Sequence, residues 1–387
     1  MLYTCLYRSV GEELAQYDVD VEGAALEKRA AVTLPANVQY AWPHPSRQYL
    51  YVASSNGGPG GSLGDRHHVS AFRIAAGGAL QPHGKPQSLL ARPLHISLDA
   101  AGAYALIAYN NPSGVTIHRI NGDGTIGAQA SQPALDTGIF AHQVLATPSS
   151  RAVILITRGN DAAGGKPEDP GALKIYSFKN GVLANSASVA PGRGYGFGPR
   201  HLDFHPAQPW VYVSVERQNQ LHVYRLEKDV LSGEPLFVKD LLAEPRNERP
   251  RQLGGAIHVH PNGRYVYVSN RADHTVEIDG KKVFGGGENS IAVYSIDPAS
   301  GEPTLIQHAD TRGIHVRTFA LDPAGRLLVA ASIMPLPVRD GTRVAAVPAG
   351  LSVFRVGADG KLEFARKYDV ETGGKTQFWM VIVGLKA

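Results

Sequence analysis

The sequence of 387 residues contains one cysteine, Cys5, which rules out an internal disulfide framework and any site that needs several thiolates around a metal. Cys5 reads as a small apolar residue of an outer strand. No apolar run approaches the length of a membrane span. The first residues, Met1 to Arg8, lack a basic start followed by an apolar stretch and a small-residue cleavage site, so a cytoplasmic protein with no membrane partner is expected. The net charge of +4 is mild for this size, and Lys and Arg nowhere cluster with interleaved aromatics, which argues against nucleic acid as a partner. There is no P-loop, no Gly-x-Ser-x-Gly elbow and no His-Glu-x-x-His. The run from Gly192 to Gly198 alternates glycine strictly and leads into a strand rather than out of one, so it is not a dinucleotide fingerprint. The Gly-His and Trp-Asp signatures of WD40 repeats are missing too. Nor does any linker, charge block or low-complexity stretch divide the chain, so residues 1–387 are expected to form a single domain.

What is abundant points to β-structure. There are 43 glycines and 26 prolines but few long helical patterns, the composition of a chain with many turns. One unit recurs: two short apolar strands joined by a turn that carries proline. It is clearest in Gly198-Pro199-Arg200-His201-Leu202-Asp203-Phe204-His205-Pro206, followed by Trp210 to Glu216. Copies begin at Tyr40, His142, Ala256 and Arg317, and a weaker one at His95 turns through Asp99-Ala100-Ala101-Gly102. A third alternating segment follows each pair, and a fourth comes after a glycine-containing turn. Four strands per unit at a spacing of roughly 40 to 60 residues is the period of a β-propeller. Six units fit between Tyr40 and Val370. The seventh combines an innermost strand at 378–383 with three outer strands at 2–10, 14–21 and 26–34, closing the ring within one shared blade. The fold class is all-β: a seven-bladed β-propeller with four antiparallel strands per blade.

Superposing the units on their turns places residues in space. First strands begin at Tyr40, Leu94 with His95, His142 with Gln143, Arg200 with His201, Gly255 with Ala256, and Arg317 with Thr318. Second strands end at Ser55, Asn110, Arg158, Glu216, Arg271 and Ile333. In an antiparallel pair these positions share one edge, so all of them gather at one mouth of the central channel. An arginine such as Arg158 at a strand end is ordinarily a solvated rim residue, and His118, His205 and His260 read as turn or surface residues. Convergence around an axis changes the weight. Several arginines, three histidines and one carboxylate then meet at one opening. Among those arginines, Glu216 should stay ionised. His142 or His201 is the natural proton carrier. The planar guanidinium forks suit a carboxylate, a phosphate or a developing oxyanion. Glycine-rich insertions at 57–66, 160–170, 274–289 and 334–348 lie between second and third strands, on the same face, where repeat arrays commonly bind.

These residues resemble the seven-bladed propeller lactonases, a family that includes the propeller-type 6-phosphogluconolactonases and the fungal 3-carboxy-cis,cis-muconate lactonising enzyme. The matching pieces are Gly198-Pro199-Arg200-His201 with Phe204-His205-Pro206, Glu216, Ile257-His258 with Pro261-Asn262-Gly263-Arg264, Asn270-Arg271, Arg317 with Phe319, and Phe378-Trp379. The long mouth loops and the degenerate second blade depart from that pattern. The resemblance implies a catalytic His, Arg, Glu and Arg, which fall on His142, Arg200, Glu216 and Arg271. Substrate binding is then expected from His95, His201, Arg158, His258 and Arg317. The implied chemistry is hydrolysis of an anionic sugar-acid lactone. Arg200 and Arg271 would hold the anion and polarise the carbonyl, and Glu216 with His142 as proton shuttle would direct water. No cofactor is expected, and no metal, because one carboxylate is too few for a hard cation. Lactonisation of a muconate-like diacid is the alternative within enzymes, and a non-catalytic propeller holding an anionic partner is the alternative outside them.

Overall fold

The computed structural model describes residues 2–58, 62–247 and 249–386. Seven antiparallel sheets, six of four strands and the fourth with an additional two-residue strand at Val230–Leu231, are arranged as the blades of a propeller, and the ring closes as expected. The C-terminal strand Gln377–Lys386 is innermost in the closing blade and pairs with Leu2–Val10, with Glu13–Asp20 and Ala25–Thr33 outside it. The innermost strands of blades one to six are Asn37–Pro43, Pro93–Leu98, Ala141–Ala146, Pro199–Phe204, Gln252–Val259 and Val316–Leu321. The second blade is complete despite its degenerate sequence, with a short outer strand at Ile126–Gln129. Among the described residues no helix is long and apolar enough to cross a membrane.

Blades pack face to face on both sides, so their second strands are mostly apolar and buried throughout rather than alternating. Trp210–Val215, Ala152–Thr157 and Leu327–Ser332 are buried at every residue. The core is accordingly a series of inter-blade layers. In one of them Ile154, Ile156 and Leu173 of the third blade meet Val211, Val213 and Tyr224 of the fourth.

Two polar devices recur at the blade junctions. The hydroxyls of Tyr7, Tyr51, Tyr212 and Tyr267 donate to the carbonyls of Gly78, Gly124, Gly301 and Gly360 in the next blade's outer turn, at 2.6 to 2.9 Å. These glycines have φ between +79° and +85°, which side chains rarely adopt. At the opposite face, the turn histidines His44, His205 and His260 use Nε2 to reach the carbonyls of Gly102, Gly263 and Gly325 in the following blade. The His-Pro turn is therefore a blade-to-blade fastener, in keeping with the reading of His205 and His260 as turn residues.

Of the four insertions, 274–289 and 334–348 form two-stranded hairpins, Thr275–Ile278 with Lys281–Phe284 and Leu336–Asp340 with Arg343–Val347. Their strands Lys281–Phe284 and Leu336–Asp340 touch one another. Residues 59–61 of the first insertion lie outside the described residues.

Candidate active site

The side chains at the mouth are aimed by a defect repeated in all seven blades. Where each innermost strand pairs with the second, the register slips by one residue at the mouth end. The extra residue is Gln39, Leu94, His142, Arg200 and Arg317 in five blades, one of Gly255 and Ala256 in the fifth blade, and one of Phe378 and Trp379 in the closing blade. A β-bulge leaves its extra residue unpaired and re-aims its side chain. Three of the bulged residues, Leu94, His142 and Arg317, meet the second-strand ends Asn110, Arg158, Glu216 and Arg271 on one cavity of about 750 Å³, while Gln39 and Arg200 lie on the channel beneath it. Gly58, Ser62, Leu63 and Asn160, from two of the insertions, also line the mouth cavity.

Glu216 is the hub. Its side chain is 3% exposed, and one oxygen lies 2.7 Å from Nη1 of Arg158. The other takes Nε of Arg200 at 3.1 Å and Nη2 of Arg271. Burial alone would raise the pKa of this carboxyl, but Arg271, Arg158 and Arg200 together hold it well below the ordinary range. The arginines are fixed from behind as well. Arg158 stacks on Phe140 at 4.2 Å, and Arg317 stacks on Phe378 at 3.9 Å.

His142 sits at this hub with Nδ1 buried and unpartnered. Burial and the nearby Arg200 push its pKa well down, Glu216 opposing them, so the imidazole is neutral. Its ring is 5.1 Å from that of His201. His201 faces the channel below the mouth, where Nδ1 lies 3.2 Å from Nη1 of Arg200. A guanidinium only donates, so His201 accepts there.

The structure thus gathers His142, Arg158, Glu216, Arg271 and Arg317 on the mouth cavity, with Arg200 directly beneath in contact with Glu216. His95 is sealed between Tyr40, Trp42 and His201, and burial takes its pKa down to about 3. His258 lines the channel, with Nε2 bound to the carbonyl of Phe319. Neither histidine reaches the mouth cavity.

The chain matches the family model "Lactonase, 7-bladed beta-propeller" over residues 1–333. It belongs to the seven-bladed propeller lactonases. Within that family, the 6-phosphogluconolactonase of Bacillus subtilis (strain 168) is 29% identical over 336 residues, covering 85% of this chain and 87% of that protein. The 6-phosphogluconolactonase of Pectobacterium carotovorum subsp. carotovorum (strain PC1) is 28% identical over 301 residues, covering 78% of this chain and 79% of that one. Among solved structures, the periplasmic gluconolactonase of Pseudomonas aeruginosa superposes over the full length of both chains with a TM-score of 0.71 at 20% identity. This propeller lactonase is therefore a lactone hydrolase by descent.

Four further residues of the lactonase site escape the superposition of repeats. Arg92 is buried on the mouth cavity with Nε 2.9 Å from Oε1 of Gln39, and no carboxylate pairs with it among the described residues. Arg251 grips Asp273 with Nε and Nη2. Asp273 in turn meets Nδ1 of His315 at 2.8 Å. Arg92 and His315 each precede a bulged residue by two positions, a relation that the sequence does not show because the bulges themselves leave no signature in it. No three His, Cys, Asp or Glu side chains converge as metal ligands among the described residues.

Proposed function

We propose that this lactonase hydrolyses the lactone of an anionic sugar acid, of the 6-phosphogluconolactone or aldonic and aldaric kind, without a metal. The observation that carries the reading is a buried carboxylate, Glu216, bound by three arginines beside a neutral, unpartnered imidazole at the base of a cationic cavity. The names of the relatives support a sugar lactone, and the surplus of guanidinium groups supports a negative charge on it.

Geometry and charge divide the roles. A carboxylate stabilised this strongly is a poor proton acceptor, which leaves His142 as the general base. His142 takes a proton from water as its oxygen bonds to the lactone carbonyl carbon. The carbonyl oxygen becomes an oxyanion facing the guanidinium groups of Arg158, Arg271 and Arg317. The ring C–O bond then breaks, and the leaving ring oxygen takes the proton back from His142, giving the open hydroxy acid. Glu216 holds the three arginines in place and stabilises the imidazolium that forms transiently. The anionic group of the substrate offsets the field of the arginines, which raises the basicity of His142 when substrate binds.

The test is a pH-indicator assay over phosphorylated and unphosphorylated sugar lactones. Acid release faster than spontaneous hydrolysis, lost in His142→Gln, is the expected result. No acid release on any lactone, with loss of ultraviolet absorbance on a muconate, would replace hydrolysis by cyclisation.

A further inference from the structure

Beneath the mouth, the central channel contains a second cavity of about 320 Å³. Its walls are Tyr40, Trp42, Phe378, Trp379 and Met380, and the prolines Pro43, Pro261 and Pro323 stand toward the opposite face, where the strand-joining turns lie. Its inner end is His142, Arg200 and Arg317. The chemistry differs from that of the mouth. His201, His258, Thr318 and Asp322 are polar groups among walls that are otherwise mostly apolar and aromatic, and such walls favour a flat ring over a sugar, whose hydroxyls each seek a partner. The inner end has the opposite character. Arg317 makes no ion pair or hydrogen bond among the described residues, and its guanidinium stacks on Phe378.

We propose that this channel is a second ligand site, taking a small aromatic carboxylate that enters from the face opposite the mouth, with its ring between the tryptophans and its carboxylate on Arg317. The volume lies near the lower end of the roughly 300 to 1,000 Å³ typical of ligand pockets, which limits the occupant to one ring or a fused pair. His142 and Arg317 line both cavities. A ligand in the channel therefore acts on the catalytic floor from behind and lowers turnover without displacing the lactone.

Two of the three tryptophans of the chain, Trp42 and Trp379, stand in the channel wall. Benzoate and its neutral counterpart benzyl alcohol are titrated against the protein by intrinsic fluorescence and by calorimetry, with no lactone present, so the outcome is independent of which lactone is the substrate. Benzoate is expected to change the fluorescence and to bind about tenfold or more tighter than the alcohol, the scale of one charge-assisted contact. Arg317→Met should remove that preference, and Val381→Phe, which narrows the channel, should abolish binding. Leu321→Phe serves the same purpose if Val381→Phe fails to melt cooperatively. Equal binding of acid and alcohol, or binding indifferent to both channel variants, would overturn the proposal.

Discussion

Nε2 of His315 lies 3.1 Å from Nη1 of Arg271. A guanidinium nitrogen can only donate, so the imidazole accepts there and carries its proton on Nδ1, which lies 2.8 Å from a carboxylate oxygen of Asp273. Burial brings the pKa of His315 down to about 4 even though Asp273 opposes it, so the accepting form is the one present at neutral pH. Arg251, Asp273 and His315 thus form a chain that ends on Arg271 and sets the plane in which its other nitrogen meets Glu216. His315 is a positioning residue. His315→Leu should lower kcat by roughly tenfold to a hundredfold with a smaller change in KM, because a misplaced guanidinium loses transition-state contacts first. His315→Gln, whose amide oxygen can still accept from Arg271, should recover most of the rate. Equal damage from both variants would reduce His315 to a packing residue.

Glu216→Gln tests the hub. The amide keeps the shape but removes the charge that three guanidinium groups share, so Arg158, Arg200 and Arg271 repel one another with nothing between them. Turnover should fall by roughly a hundredfold or more. Stability should fall as well, by about 3 to 5 kcal/mol, as when one partner of a buried ion pair is removed. Steady-state kinetics with a urea titration reads both. A variant of ordinary activity and ordinary midpoint would exclude Glu216 from the hub.

The propeller and the position of its mouth are legible in the sequence because both rest on repetition. The turn prolines fix the phase of each unit, and the phase fixes which ends of which strands meet. The bulges are not legible, since a slip of register has no residue signature, and they decide which of two adjacent residues reaches the mouth. Leu94 and His95 read as a pair at one position, but the bulge assigns Leu94 to the mouth and turns His95 into the packing with Tyr40 and Trp42. Arg200 and His201 are divided in the same way, with Arg200 on Glu216 and His201 on the channel. Asp273 escaped notice for another reason. It lies two residues past Arg271, where the repeat gives no equivalent position to compare.

The tyrosine latches offer a test of how the ring is held. Tyr267 is fully buried and its hydroxyl donates to the carbonyl of Gly360 at 2.9 Å, a bond from the fifth blade to the sixth. Tyr267→Phe leaves that carbonyl unmade at little cost in packing, and should destabilise the fold by about 1 to 3 kcal/mol. Gly360→Ala should be worse, because at φ +80° a methyl group would lie 2.3 Å from the ring of Tyr265. Denaturant midpoints should therefore rank wild type above Tyr267→Phe and Tyr267→Phe above Gly360→Ala. The reverse order would show that the turn adapts and that the latch does not hold the blades.

Buried neutral histidines make the fold acid-sensitive, and among the described residues they outnumber the one opposing group, Asp203, whose carboxyl burial lifts to about 6. Burial takes His95 down to about 3 and His315 to about 4, and with the help of Arg200 it takes His142 and His201 well below their ordinary value. In the unfolded chain each titrates near 6.5. Between those values the unfolded chain binds protons that the native chain refuses, so stability rises with pH across this window. The contribution is complete above about pH 6.5 and drains away as pH falls toward about 4. Glu216 and Asp273, whose carboxyls are held well below their ordinary range, add their own loss only at lower pH. The melting temperature should therefore be nearly constant from about pH 8 to 7 and drop steeply between about 6.5 and 4.5. His95→Phe, which keeps a ring beside Tyr40 and Trp42 without a titrating group, should make that slope shallower by close to one proton's worth. A melting temperature that stays flat down to about pH 4.5 would mean that these imidazoles accept protons in the folded state, and burial would not then be what keeps His142 neutral.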